Sequence, residues 1–150
     1  MAQSLADITI HFVFSTKGRN PWIQPEVEEE LYQYICGVCR NLDSPTIMIN
    51  GVADHIHVLL QLGKTITFSK LISEMKSSSS RWIKSKGNQY RDFAWQSGYG
   101  GFSVSRSSLE GAKNYLSSQK EHHKTVTFKE ELLIMLQKAQ IPYDEKYLWD

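Results

Sequence analysis

The sequence predicts an α+β protein with a ferredoxin-like βαββαβ antiparallel sheet and extra C-terminal helices. Three observations carry that expectation. Alternating and helical periodicities follow one another in the order strand, helix, strand, strand, helix, strand; only Ala53-Asp54 separates the middle strands; and two helix-start signals follow the last strand. A chain of 150 residues, 41% apolar and 22% charged, can bury a core of its own, so residues 1–150 read as one domain.

The first strand, residues 7–16, alternates Ile8, Ile10, Phe12 and Phe14 with Thr9, His11, Val13 and Ser15, as a half-buried strand does. A turn at Lys17-Gly18-Arg19-Asn20-Pro21 leads to a helix over residues 25–41. Pro25 suits its first position, Glu26, Glu28, Glu29 and Glu30 favour the positive end of its dipole, and Val27, Leu31, Tyr34, Ile35, Val38 and Leu42 recur at helical spacing. Pro45 ends it. Residues 46–52 and 55–62 then read as a hairpin, and residues 69–86 as a second helix in which Leu71, Ile72, Met75, Trp82 and Ile83 repeat at three and four. A short strand at 102–105 follows Gly98, Gly100 and Gly101. Ser107 with Glu110, and Thr127 with Glu130, read as capping boxes for helices over 108–123 and 128–139; residues 141–150 read as an extended tail. In this topology the helices cover one face of the sheet and leave the other open to a ligand. The first and third strands are central neighbours, which brings His11 near His55 and His57.

Composition narrows the function classes. No basic segment precedes the first apolar run, which Thr9 and His11 interrupt, so no secretion signal is read; no stretch is long and apolar enough to cross a bilayer. The expected location is cytoplasmic, with the nucleoid when bound to DNA. Cys36 and Cys39 stand late in a helix rather than at its N-terminus, and no second Cys or His pair has finger-like spacing, so they read as packing residues rather than a redox or zinc pair. The net charge of +1 hides an asymmetry: Lys64, Lys70, Lys76, Arg81, Lys84, Lys86 and Arg91 face Glu74 alone. Interleaved with Trp82, that surface suits a nucleic-acid backbone with stacked bases, and Lys70, Lys76, Arg81, Trp82 and Lys84 are the binding candidates. A solvated helix face accounts for the same charges.

Residues two apart on a strand share a face, so His55 and His57 project together and can share a divalent cation. On the helix that follows, Tyr115, Gln119 and His122 are spaced four and three apart and share a face as well. A phenol beside an amide oxygen adds a nucleophile and a further ligand. Each piece alone is also what an ordinary core presents.

The ordered set resembles the single-tyrosine transposases of the insertion-sequence 200/605 group, of the HUH nuclease class. The resemblance rests on His11-Phe12-Val13-Phe14-Ser15-Thr16-Lys17, Ala53-Asp54-His55-Ile56-His57-Val58-Leu59-Leu60, the Ser78-Ser79-Ser80-Arg81 region and Tyr115-Leu116-Ser117-Ser118-Gln119-Lys120-Glu121-His122-His123. It implies a nuclease that cleaves and rejoins single-stranded, hairpin-forming DNA through a 5′-phosphotyrosine intermediate. Tyr115 matches the nucleophile, His55 and His57 the metal pair and Gln119 the third ligand, with Mg²⁺ or Mn²⁺ as the ion; His11 and His122 are accessory candidates. It also implies a homodimer whose active sites are assembled in trans, and the short link from the last strand to the tyrosine helix argues the same way, by restricting its return over its own His pair. The Glu121-His122-His123 and Tyr143-Asp144-Glu145-Lys146-Tyr147-Leu148-Trp149 segments look more like the transposase-like relatives associated with short chromosomal palindromes.

Other classes fit less of the chain. Gly98-Tyr99-Gly100-Gly101-Phe102-Ser103-Val104 faintly resembles the aromatic strand of a non-catalytic RNA-recognition module, one residue out of register, and leaves the His pair and Tyr115 unused. Rolling-circle initiators and relaxases use the same pair in larger chains. A His-x-His-x-Asp-His hydrolase fits less still, since Val58-Leu59-Leu60 follow His57.

Overall fold

The computed structural model describes residues 2–150. Strands β1 (Thr9–Ser15), β2 (Thr46–Val52), β3 (His55–Gln61) and β4 (Gly100–Ser103) form one antiparallel sheet in the order β2-β3-β1-β4, with β1 and β3 at its centre as the topology requires. Helix α1 (Pro25–Asn41) has the expected bounds, and α2 spans Phe68–Lys84. On the face toward these helices, Ile10, Phe12 and Phe14 of β1 and Ile56, Val58 and Leu60 of β3 pack against Leu31, Ile35, Leu71 and Met75 in the main core. Burying side chains of this size contributes about 1.5–3 kcal/mol each.

The second face is covered too, which corrects the expectation of an open one. Val13 packs there against Phe128, Leu132 and Leu136 of α5 (Phe128–Lys138), with Phe102, Leu148 and Trp149 at the margin. All of β1 is buried. The alternation along β1 therefore separates an apolar core face from a face that carries polar chemistry, rather than core from solvent. The same cover closes the sheet face that an RNA-recognition module uses for stacking.

Four local expectations change. The helix expected over 108–123 is broken at Ser118 (φ −95°, ψ 9°) into α3 (Leu109–Ser117) and α4 (Gln119–His122). The Ser107 capping box does not form, because a 3-10 turn over Arg106–Ser108 leads into α3 without a side-chain cap, whereas the Thr127–Glu130 box does form. Within the tail, Asp144 caps a short helix, α6 (Glu145–Leu148). Strand β4 starts two residues early because Gly100 and Gly101 pair with β1; at Gly101 a side-chain carbon would lie 2.5 Å from the Phe68 ring. The thiols of Cys36 and Cys39 are free, and burial with the neighbouring Cys36 pushes Cys39 up to about 12, as a packing role requires.

Candidate active site

Strand β3 presents the histidine pair. His57 lies opposite Val13 of β1 and Asn50 of β2, and His55 opposite Ser15 and Val52, so both imidazoles project from the polar face. The Ala53-Asp54 turn ahead of them is pinned by two backbone bonds, Thr16 N–H to the Asp54 carbonyl and Ile23 N–H to the Ala53 carbonyl, each 2.9 Å. Both histidines are fully buried, with ring centroids 5.2 Å apart. Asp54 Oδ1 accepts from His55 Nδ1 at 2.7 Å, and His57 Nδ1 lies 2.8 Å from His11 Nε2.

A carboxylate that the sequence reading did not single out lies at the centre. Glu131 is buried on α5, three residues after Phe128 and beside Leu132. Its Oε1 is 2.9 Å from His57 Nε2, 3.0 Å from His123 Nε2 and 3.3 Å from His55 Nε2. Its Oε2 accepts from the Tyr115 hydroxyl and, at 3.2 Å, from Gln119 Nε2. Tyr115 and Gln119 are thus brought to the histidine pair as expected, with the Tyr115 ring 5.7 Å from that of His57. They come from the same chain, however: the 3-10 turn at Arg106–Ser108 lets α3 fold back over β2 and β3, against the expected restriction. Asn50 Nδ2 holds the Leu116 carbonyl at 2.8 Å near the end of α3, and Lys120 pairs with Glu28, fastening α4 to α1.

Of the two accessory candidates, His11 reaches the centre through its bond to His57. His122 is at the rim, one-third exposed and 3.5 Å from Glu131 Oε2, whereas the nearly buried His123 joins the centre. The spacing that favoured His122 assumed one continuous helix, and the break at Ser118 changes its phase. Glu131 had a signal as well. In α5 it shares the face of Phe128, Leu132 and Leu136, where a charge belongs only if it is paired.

Protonation follows from this geometry. Burial opposes ionisation of Glu131, but hydrogen bonds from His123 and His57 and the nearby His55 outweigh it and hold the carboxyl well below its usual range. Burial lowers His57 despite Glu131, and burial together with His57 pushes His11 down to about 3. For His55, burial is outweighed by the Asp54 and Glu131 carboxylates, which raise it. Burial, the hydrogen bond to Glu131 and its charge raise the Tyr115 phenol above its ordinary value.

The donors suit a divalent cation. One ligand atom from each of His55, His57, His123 and Glu131 lies within 4.8 Å of the others. Two buried atoms here, His55 Nε2 and Gln119 Oε1, have no hydrogen-bond partner, the first because its approach to Glu131 is poorly aligned. Imidazole and carboxylate donors are ordinary ligands of first-row divalent ions.

The nucleic-acid candidates lie elsewhere, on α2 across the sheet. Lys70 pairs with Glu74 at 2.9 Å, Arg81 and Lys84 are exposed, and Trp82 is stacked on Tyr34 with Lys86 Nζ 4.8 Å from its ring. Lys76 Nζ donates to the carbonyls of Gln96, Ser97 and Gly98 at 2.8, 3.2 and 2.7 Å, clamping the segment before β4. A cavity of about 530 Å³ opens beside the centre instead, lined by Arg19, Asp54, Lys120, His123 and Lys124 among others.

The sheet thus carries a His-x-His strand facing the helix of Tyr115. The model of the family described as transposase, IS200-like, matches residues 4–119, and the chain belongs to that family. Two solved structures share the fold. One is the protein named as a transposase from Deinococcus radiodurans R1, with TM-score 0.62 and 18% identity over 79% of this chain and 98% of that one. The other is a REP-associated tyrosine transposase bound to a REP hairpin, with TM-score 0.63 and 16% identity over 84% of this chain and 76% of that one. No curated protein sequence matches the chain. Among the described residues no helix is long and apolar enough to cross a membrane.

Proposed function

We propose that the protein is a single-tyrosine HUH transposase that cuts and rejoins single-stranded DNA, with Tyr115 as the nucleophile. The observation that carries this reading is the sharing of Glu131: one carboxylate holds both the Tyr115 hydroxyl and the ligand cluster, so nucleophile and cation site are a single construction. The Tyr115 oxygen attacks a backbone phosphorus and the P–O3′ bond breaks. The phenol gives up its proton and the departing O3′ takes one up, so the products are a 5′-phosphotyrosine and a 3′-hydroxyl. The reverse attack by a 3′-hydroxyl rejoins a strand, and the energy of the bond is retained throughout, so no nucleotide cofactor is needed.

His55, His57, His123 and Glu131 are the proposed ligands, with Gln119 adjacent, and Mg²⁺ or Mn²⁺ the expected ion. When bound, the ion polarises the scissile phosphate and stabilises charge on the attacking and departing oxygens. The chain's own residues do the positioning. Glu131 orients the phenol, because its Oε2 accepts from the Tyr115 hydroxyl. Asn50, Lys120 and the break at Ser118 fix where the phenol and Gln119 stand. The structured substrate is proposed to be a hairpin, with Lys70, Arg81, Lys84 and Trp82 as remaining contact candidates while Lys76 is held by three carbonyls, and pairing of two chains into a homodimer is proposed on the family resemblance.

The decisive experiment is transfer of a labelled DNA strand to the protein. Wild type is expected to become labelled in the presence of a divalent ion, whereas Tyr115→Phe should still bind DNA but take no label. A labelled Tyr115→Phe protein would place the nucleophile elsewhere.

A further inference from the structure

The buried hydrogen bond between His11 Nε2 and His57 Nδ1, 2.8 Å long, contains information about how the centre is loaded. In the β1–β3 register His11 lies opposite Leu59, so it is the diagonal neighbour of His57 on the same sheet face, and the ring centroids are 5.0 Å apart. Two imidazole nitrogens at this distance share one proton: one ring donates and the other accepts. The far side of His57 decides which. There Nε2 lies 2.9 Å from Glu131 Oε1, and a carboxylate oxygen only accepts. Without an ion, Nε2 of a neutral His57 therefore carries the proton, its Nδ1 is bare, and His11 donates from Nε2. With an ion on His57 Nε2, the ring's proton must sit on Nδ1, and His11 must offer a bare Nε2.

We propose that His11 sets the tautomer of His57, and that occupation of the centre switches the two rings together, each from Nε2–H to Nδ1–H. The inference rests on the reading of the His55, His57, His123 and Glu131 cluster as a metal site. The proton balance closes. His57 Nε2 releases one proton, the shared proton passes from His11 Nε2 to His57 Nδ1, and His11 takes up one at Nδ1. The charge of the pair does not change. His55 needs no such switch, because Asp54 already accepts from its Nδ1 and leaves Nε2 facing the centre. His11 is thus a positioning residue: without an acceptor at that point, the occupied centre would leave a buried N–H of His57 unpaired.

The test reads ring protons and affinity rather than catalysis. Nitrogen-15 NMR of the imidazoles, on metal-free protein and on protein loaded with diamagnetic Zn²⁺, should show His11 protonated on Nε2 in the first and on Nδ1 in the second. Calorimetry should show His11→Phe binding Zn²⁺ about 10–100-fold more weakly. His11→Gln, whose amide oxygen can stand where Nε2 stood, should recover most of the loss. An unchanged His11 tautomer on loading, or wild-type Zn²⁺ affinity in His11→Phe, overturns the proposal. His57→Ala separates the two levels. If it too binds Zn²⁺ like wild type, the metal-site reading itself falls; if it loses Zn²⁺ while His11→Phe does not, only the role of His11 falls. The NMR arm uses wild-type protein and does not depend on a variant folding.

Discussion

At the scale of single residues, Glu131 accounts for most of the site's properties. Its two oxygens gather partners from β3, α3, α4 and the turn before α5, which no local pattern links. Glu131→Gln keeps the shape of the side chain and removes its charge. The expected result is at least about 10–100-fold weaker binding of Mn²⁺ or Zn²⁺, read by calorimetry, with loss of strand transfer. Wild-type affinity in that variant would remove Glu131 from the ligand set. The pair His55 and His57 was legible from strand alternation alone, because period two admits no phase error over three residues. Tyr115 and Gln119 were legible because they straddle the break at Ser118 closely enough for helical spacing still to hold. His122, an accessory candidate, falls at the rim, and the next residue, His123, turns toward the centre.

At the scale of elements, α5 has to stand at a definite height over the sheet for Glu131 to reach β3. Its start is fixed by the Thr127–Glu130 box, in which Thr127 Oγ1 accepts from Glu130 N–H at 3.2 Å. Thr127→Ala should cost about 1 kcal/mol of stability, measured by denaturant unfolding, and should also weaken metal binding. A loss of stability with unchanged metal affinity would mean that α5 is held by Phe128, Leu132 and Leu136 alone. This box was readable from sequence, as were the bounds of α1, where Pro25 and the acidic first turn leave little choice. The Ser107 box failed despite the same pattern, because a cap needs its residue in extended backbone just ahead of the helix, and a 3-10 turn occupies that place. Cover of the second sheet face was not readable either. The helix that provides it begins far from the strands in sequence, and the residues it covers on β1 are largely polar.

At the scale of the whole molecule, the helix that carries Tyr115 returns over its own chain, and that arrangement makes a clear prediction about assembly. Mixing Tyr115→Phe with His57→Ala protein should restore no strand transfer, because each chain then carries one broken half of the same site. Recovered activity in the mixture would show that α3 and α4 exchange between subunits. Lys76 offers a second global test. Burial lowers it to about 8 from an ordinary value near 10.5, so between those values the unfolded chain binds a proton that the folded one does not. Stability of wild type relative to Lys76→Met should therefore rise as pH increases from 8 to 10.5, followed by thermal melting at each pH. A flat difference would mean that the three carbonyls around Nζ retain the charged form.

The buried carboxylate is held by the protein's own donors, and the large apolar core lies on the opposite side of the sheet from it. A cation bound there would therefore be a guest in a finished room rather than a keystone. A chelator should silence such a protein without unfolding it, and returning the ion should wake it. On the proposed function, the supply of the ion would then act as a rheostat on DNA breakage while the amount of folded protein stays constant.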